Sequence, residues 1–181
     1  SWYSVDAMAA TLPAGVIHWN LASLAIGTVT YANAIVGQYV GAGDLRRVGP
    51  VLWQGVYMSL VGGVLMICLV PLAGWTFAAF DHHQDIQHLE VRYFSILALG
   101  TGPLLVSSTL SCFYSGRGHT TMVMVANVIA TVINIALDYV LIFGKAGFPE
   151  LGIEGAAIAT SLSFTSISAI YVAHMLWTER N

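Results

Sequence analysis

The sequence predicts an all-α membrane protein, a polytopic bundle of about five transmembrane helices. Three observations carry this. Charged residues make up only 8% of the 181 positions, whereas a soluble domain has about 25%. Hydrophobic residues make up 57%. The apolar residues are gathered into five stretches, each at least as long as the roughly 20 residues a helix needs to cross a bilayer. Strands of a membrane barrel would be about ten residues long and alternate in polarity, and these stretches are longer and uniformly apolar. The net charge of −3 is small and argues against nucleic acid as a partner. No basic run marks an anionic-lipid anchor.

The first stretch, residues 7–40, is longer than one crossing requires. Pro13 and Gly15 are positioned to kink or tilt it. Ser4 or Asp6 would cap its start, and Asp6 also suits the positive end of a helix dipole. The N-terminal residues lack the basic and short apolar regions of a signal peptide, and the sequence reads as cut from something longer. "GAGD", Gly41–Asp44, ends this stretch as a glycine helix stop. Its glycine spacing is wrong for a dinucleotide fingerprint. A Gly-x-Gly-Asp intramembrane protease would need a second aspartate at the same depth, and Asp44 sits at the surface beside Arg46 and Arg47.

The second stretch covers residues 48–75 and the third 86–113, with Glu90 and Arg92 near its start. The connection between them, "FDHHQDIQHLE", places Asp81, His82, His83, Asp85 and His88 close together, and we read them as solvated polar residues, not metal ligands. The fourth stretch spans 120–143 and the fifth 153–177. Small residues recur inside the helices, among them Gly62, Gly63, Gly100, Gly102 and Gly155, and allow close helix packing. Cys68 and Cys112 each lie in an apolar segment and read as packing residues. Arg46, Arg47, Arg117 and Arg180 fall on one side of the membrane, against Arg92 and Lys145 on the other. The positive-inside bias puts the first group in the cytoplasm. The N-terminus then lies outside, which predicts a further helix ahead of Ser1.

The fourth stretch carries the chemistry. Asn127, Thr131, Asn134 and Asp138 are spaced 4, 3 and 4, which puts them on one stripe about 60° wide. A central Asp facing lipid costs roughly 3 kcal/mol, so the stripe must face protein or a water-filled cavity. Polar seams between helices also use Asn and Thr, but an intramembrane acid marks an ion or proton pathway. Thr160 in the fifth stretch sits at a comparable depth and could add an oxygen, although its hydroxyl can equally bond its own i−4 carbonyl. The sequence lacks HExxH, GxSxG and paired-cysteine zinc patterns, so no enzyme, metal or organic cofactor is expected.

The segments "VGQYVGAGDLRRVGPVLWQG", "YFSILALGTGPLL", "GRGHT", "NIALDYVLIFG" and "LGIEGAAIAT" resemble, in order and interval, the N-terminal half of the MATE (multidrug and toxic compound extrusion) transporters. The resemblance covers nearly the whole chain. It implies helices 2–6 of a 12-helix fold, so that residues 1–181 form a partial N-terminal lobe in the plasma membrane. It also implies an H⁺- or Na⁺-coupled antiporter that exports cationic or amphipathic compounds, with the rest of the same transporter as its partner. By position, Asn134 and Asp138 match the polar pair that the family uses for ion binding, Thr160 matches a hydroxyl of the same site, and Tyr93 lines the cavity. Asn127 and Thr131 continue the stripe into that cavity. An acid resists ionisation in such a site unless a cation or hydrogen bonds compensate. Two rival readings are a lipid-linked sugar flippase of the same superfamily and a non-transporting membrane scaffold in which the stripe is helix glue.

Overall fold

The computed structural model describes residues 5–78 and 84–180, with side chains described for 10–78 and 86–178. The expected cap at Ser4 or Asp6, the cluster Asp81, His82, His83 and Asp85, and the Arg180 side chain lie outside the described residues.

The described chain is helical, without strands. It comprises α1 (Val5–Thr30), α2 (Ala32–Gly41), a 3-10 turn (Leu45–Arg47), α3 (Val48–Ala78), α4 (Gln84–Gly116), α5 (Thr120–Ile142) and α6 (Ile153–Arg180). Five segments are long and apolar enough to cross a membrane: α1 with α2, then α3, α4, α5 and α6.

The first crossing differs from expectation. The helix runs unbroken through Pro13 and Gly15, and the interruption falls at Tyr31. There the backbone ladder skips a rung. The Ala34 N–H donates to the Tyr31 carbonyl at 3.1 Å instead of to Thr30. The released Thr30 carbonyl lies 3.6 Å from the Cys112 Sγ of α4, which donates to it. A side chain that takes over a ladder acceptor is a recognised cause of helix breaks. Cys112 is therefore more than an apolar filler, whereas Cys68 is exposed.

Glycines in the left-handed region end three helices. Gly43 has φ +76°, Gly118 +81° and Gly144 +61°. At the first, Asp44 N–H reaches back to Tyr39 O at 3.0 Å and Gly43 N–H to Val40 O at 3.1 Å. At the second, His119 N–H bonds Tyr114 O at 2.9 Å and Gly118 N–H bonds Ser115 O at 3.0 Å. Both are Schellman stops, which satisfy the last carbonyls of the helix with the chain that leaves it. "GAGD" and "GRGH" thus encode one backbone event.

α4 is the axis of the bundle and touches every other helix. α1 and α3 cover one side of it. α6 covers the other, and α5 packs chiefly on α6. α3 meets α4 along Gly55, Ser59 and Gly63, spaced by four. A Cβ on Gly63 would lie 2.8 Å from the Gly102 Cα, and one on Gly55 would lie 2.6 Å from the Thr109 Cγ2. The Ser59 hydroxyl donates to the Gly55 carbonyl at 2.8 Å and lies 2.8 Å from the Thr109 hydroxyl. Without a hydrophobic drive inside lipid, such close backbones and hydroxyl pairs hold helices together. α1 is tied to α4 by the His18 Nε2 and Thr101 Oγ1 pair at 2.9 Å, buried against Phe94.

α5 and α6 are clamped at the end remote from Arg117. A Cβ on Gly155 would meet the Leu141 carbonyl group at 2.8 Å, and Leu151 N–H bonds the Leu141 carbonyl at 3.0 Å. Nearby, Arg92 of α4 pairs with Glu154 of α6 at 3.1 Å.

Candidate functional site

α5 buries Ala126, Ala130 and Leu141. At 3.6 residues per turn the polar stripe lies on the shoulder of this buried face, not at its centre. Asn134 and Asp138 are half-buried, and Asn127 and Thr131 are exposed at the rim. Asn127, Thr131 and Asn134 meet Thr160 and Ser163 of α6 around a pocket of about 170 Å³. The pocket floor is Ala130, Phe164 and Ile167. Asp138 stands one turn beyond Asn134, and its Oδ1 is buried without a hydrogen-bond partner among the described residues. Tyr93 is half-buried beside Phe94 and lies within electrostatic reach of the Asp138 carboxylate. Four of the six residues singled out from sequence therefore border one pocket, and the other two, Asp138 and Tyr93, neighbour each other outside its lining.

The hydrogen bonds decide what this pocket offers a ligand. The Thr131 hydroxyl donates to the Asn127 carbonyl at 2.8 Å. The Thr160 hydroxyl donates to Ala156 O at 2.9 Å, and the Ser163 hydroxyl to Ala159 O at 2.8 Å. Each hydroxyl hydrogen is thus spent on its own helix, and each oxygen turns lone pairs outward. The Asn127 amide nitrogen donates to Val123 O at 2.7 Å, which leaves its carbonyl oxygen open. These groups make the lining acceptor-rich, and Asp138 adds a carboxylate one turn beyond it. Oxygen acceptors of this kind suit a proton, a hard cation or an ammonium group.

A second pocket of about 380 Å³ continues from the first and shares Asn127, Phe164 and Ile167 with it. It runs toward the Arg117 end between α2, α4 and α6. Its polar wall is Thr30, Asn33, Ser107, Ser108, Ser111 and Ser115. Ser115 donates to the Asn33 side-chain carbonyl at 3.0 Å. These residues are not among the candidates drawn from the sequence. Ser107, Ser111 and Ser115 recur every four positions and so share a face, but the sequence alone does not tell a polar cavity wall from a packing face of small residues.

Comparison with known proteins identifies relatives of this sequence and fold. Residues 1–140 match the family model MatE. The chain is 30% identical over 162 residues to the "Probable multidrug resistance protein NorM" of Thermotoga maritima, covering 89% of this chain and 35% of that protein. It is 33% identical over 147 residues to the protein of the same name in Oceanobacillus iheyensis, covering 81% of this chain and 33% of that protein. The chain thus spans about a third of the length of these relatives. Among solved structures, it superposes on a MOP superfamily transporter from Pyrococcus furiosus with a TM-score of 0.86 at 23% identity, over 98% of this chain and 38% of that one. An outward-facing multidrug resistance MATE family transporter gives a TM-score of 0.86 at 23% identity, over 98% of this chain and 39% of that one. An inward-facing multidrug resistance MATE family transporter gives a TM-score of 0.80 at 23% identity, over 94% of this chain and 37% of that one.

Proposed function

This chain belongs to the MatE family, and on that premise we propose that it forms the ion-coupling lobe of a transporter that exports cationic or amphipathic compounds in exchange for H⁺ or Na⁺. The observation that carries the reading is the acceptor-rich pocket between α5 and α6, with Asp138 one helical turn beyond Asn134 and its Oδ1 buried without a hydrogen-bond partner among the described residues. Asp138 is the titrating or cation-binding group. Asn134 and Thr160 supply neutral oxygens beside it. Asn127, Thr131 and Tyr93 face the substrate path. The chemistry is non-covalent and no bond in the substrate changes.

The coupling follows from charge. With Asp138 ionised, the lining holds a net negative charge and favours a cationic substrate. A proton or Na⁺ on Asp138 removes that charge and releases the hold. For transport, occupancy must also shift the balance between outward- and inward-open states, which requires the ion to bind one state more tightly. Asn127 and Thr131 are exposed in this chain, and polar side chains of a membrane span face protein or water and not lipid. The remaining half of the transporter is the partner that closes this side.

The test is Asp138→Asn in the intact protein. The amide keeps the shape and hydrogen bonds of the acid but cannot release a proton. The variant should reach the membrane at the wild-type level and lose ion-driven efflux, measured per inserted molecule over a range of pH and Na⁺. Wild-type ion dependence in this variant would end the reading. Reduced insertion with unchanged efflux per molecule would assign the stripe to helix adhesion instead.

A further inference from the structure

A further cavity of about 500 Å³ lies at the opposite end of the bundle from Asp138, where α4 ends, α5 begins and α6 runs out. Its basic lining comes from two places. Arg117 and His119 belong to the α4–α5 connection, and His174 comes from the last turns of α6. Thr121 and Thr178 add hydroxyls, and among the described residues no carboxylate is part of the lining. Phe113, Met122 and Met175 form the apolar wall.

The side chains are held in place. The Arg117 guanidinium lies 4.8 Å over the Phe113 ring, a cation–π contact that fixes its plane while leaving its N–H groups outward. Arg117 forms no ion pair among the described residues, whereas Arg47 and Arg92 each have an acid partner. His174 is oriented by Tyr114. The Tyr114 hydroxyl donates to the Tyr171 carbonyl at 3.0 Å, so its one hydrogen is used. The 3.0 Å contact between that hydroxyl and His174 Nδ1 is then donated by the imidazole. Nδ1 carries the proton, and Nε2 becomes a donor when the ring is protonated. The start of α5 adds further donors. His119 precedes its first turn without a side-chain cap, and Met122 N–H turns back to the His119 carbonyl at 3.2 Å, so the N–H groups of Thr120 and Thr121 are the ones that helix geometry leaves to the cavity side.

We propose that this cavity binds a phosphate ester through Arg117, His119 and His174, with the two threonine hydroxyls as further donors. Guanidinium, imidazolium and unsatisfied helix N–H groups all complement a phosphoryl oxygen. The methionine wall adjoins Leu176 and Trp177, which are exposed on α6, and a Trp at a helix end marks the membrane interface. This placement suits the headgroup of an anionic phospholipid with its acyl chains along α5 and α6. A soluble phosphate ester would satisfy the same polar groups.

The experiment compares these two sources. The intact protein is measured by native mass spectrometry and by titration in nanodiscs, with phosphatidylglycerol against phosphatidylcholine, and separately with glycerol phosphate in solution. We expect one tightly retained phosphatidylglycerol, and a loss of affinity of about tenfold or more in Arg117→Gln and in His119→Gln, since each removes a charge-assisted hydrogen bond. His119 is exposed and makes no side-chain hydrogen bond, so that variant leaves the packing intact. Arg46→Gln, at the same end of the bundle but outside the cavity, should change nothing. Binding of glycerol phosphate with the same sensitivity to variants would support the site and assign it a soluble ligand. If Arg117→Gln and His119→Gln match the wild type in both arms, the site does not exist.

Discussion

Two acids near the membrane ends have cationic partners, Asp44 with Arg47 at 3.2 Å and Glu154 with Arg92 at 3.1 Å, whereas the buried Oδ1 of Asp138 meets no donor among the described residues. A group left in this state is either a cost or a device, and its position beside Asn134 and Thr160 favours the second. Asn134→Ala tests the neighbourhood without touching the acid. It removes one neutral oxygen, so the apparent affinity for the coupling ion should fall roughly two- to tenfold with maximal efflux largely kept. Flux measured against ion concentration separates these two effects. The acid and its stripe were legible in the sequence because a charged residue in an apolar run needs an explanation, and spacing supplies the face. The direction of the hydroxyl hydrogens was not legible. Whether Thr160 presents a donor or an acceptor depends on its bond to Ala156, which sequence offers only as one of two choices.

At the scale of the elements, the recurring theme is absence of side chain where helices meet. Gly63 faces Gly102 backbone to backbone, so neither partner can yield to an added methyl group. Gly63→Ala should therefore destabilise the bundle by about 1–3 kcal/mol. Gly74→Ala, on the same helix with open space around its missing Cβ, should be neutral or slightly stabilising. Thermal unfolding of both variants in one detergent makes the comparison. Small residues announced close packing in the sequence, yet their partners could not be named there, since register between helices is a property of the assembled bundle. The break at Tyr31 was hidden for a similar reason. Its cause is a thiol from a helix some 80 positions later, and the local sequence drew attention to Pro13 instead.

For the molecule as a whole, the alternating run of five spans sets Arg46, Arg47 and Arg117 at one end and Lys145 at the other. Orientation by the positive-inside bias predicts that Leu45→Cys, an exposed position, is shielded from an impermeant thiol reagent added to intact cells, while Lys145→Cys reacts. The opposite labelling pattern would invert the orientation. One architectural fact reaches back to the birth of the protein. α5 leans almost entirely on α6, and α6 is synthesised after it. Between the emergence of Asp138 and the completion of Arg180 the ribosome adds roughly 40 residues, a delay of about 2–8 s at 5–20 residues per second. During that interval the polar flank of α5 has no lasting cover, and an unshielded Asp in the outer part of the span opposes release into lipid by up to about 3 kcal/mol, the value for a central acid. The insertion machinery must then keep α5 until its neighbour arrives, so the two helices enter the bilayer as a pair. A nascent chain stopped after Gly144 should leave α5 incompletely integrated in a glycosylation-mapping assay, and extension through Arg180 should rescue it. Full integration without α6 would mean that earlier helices already shelter the acid.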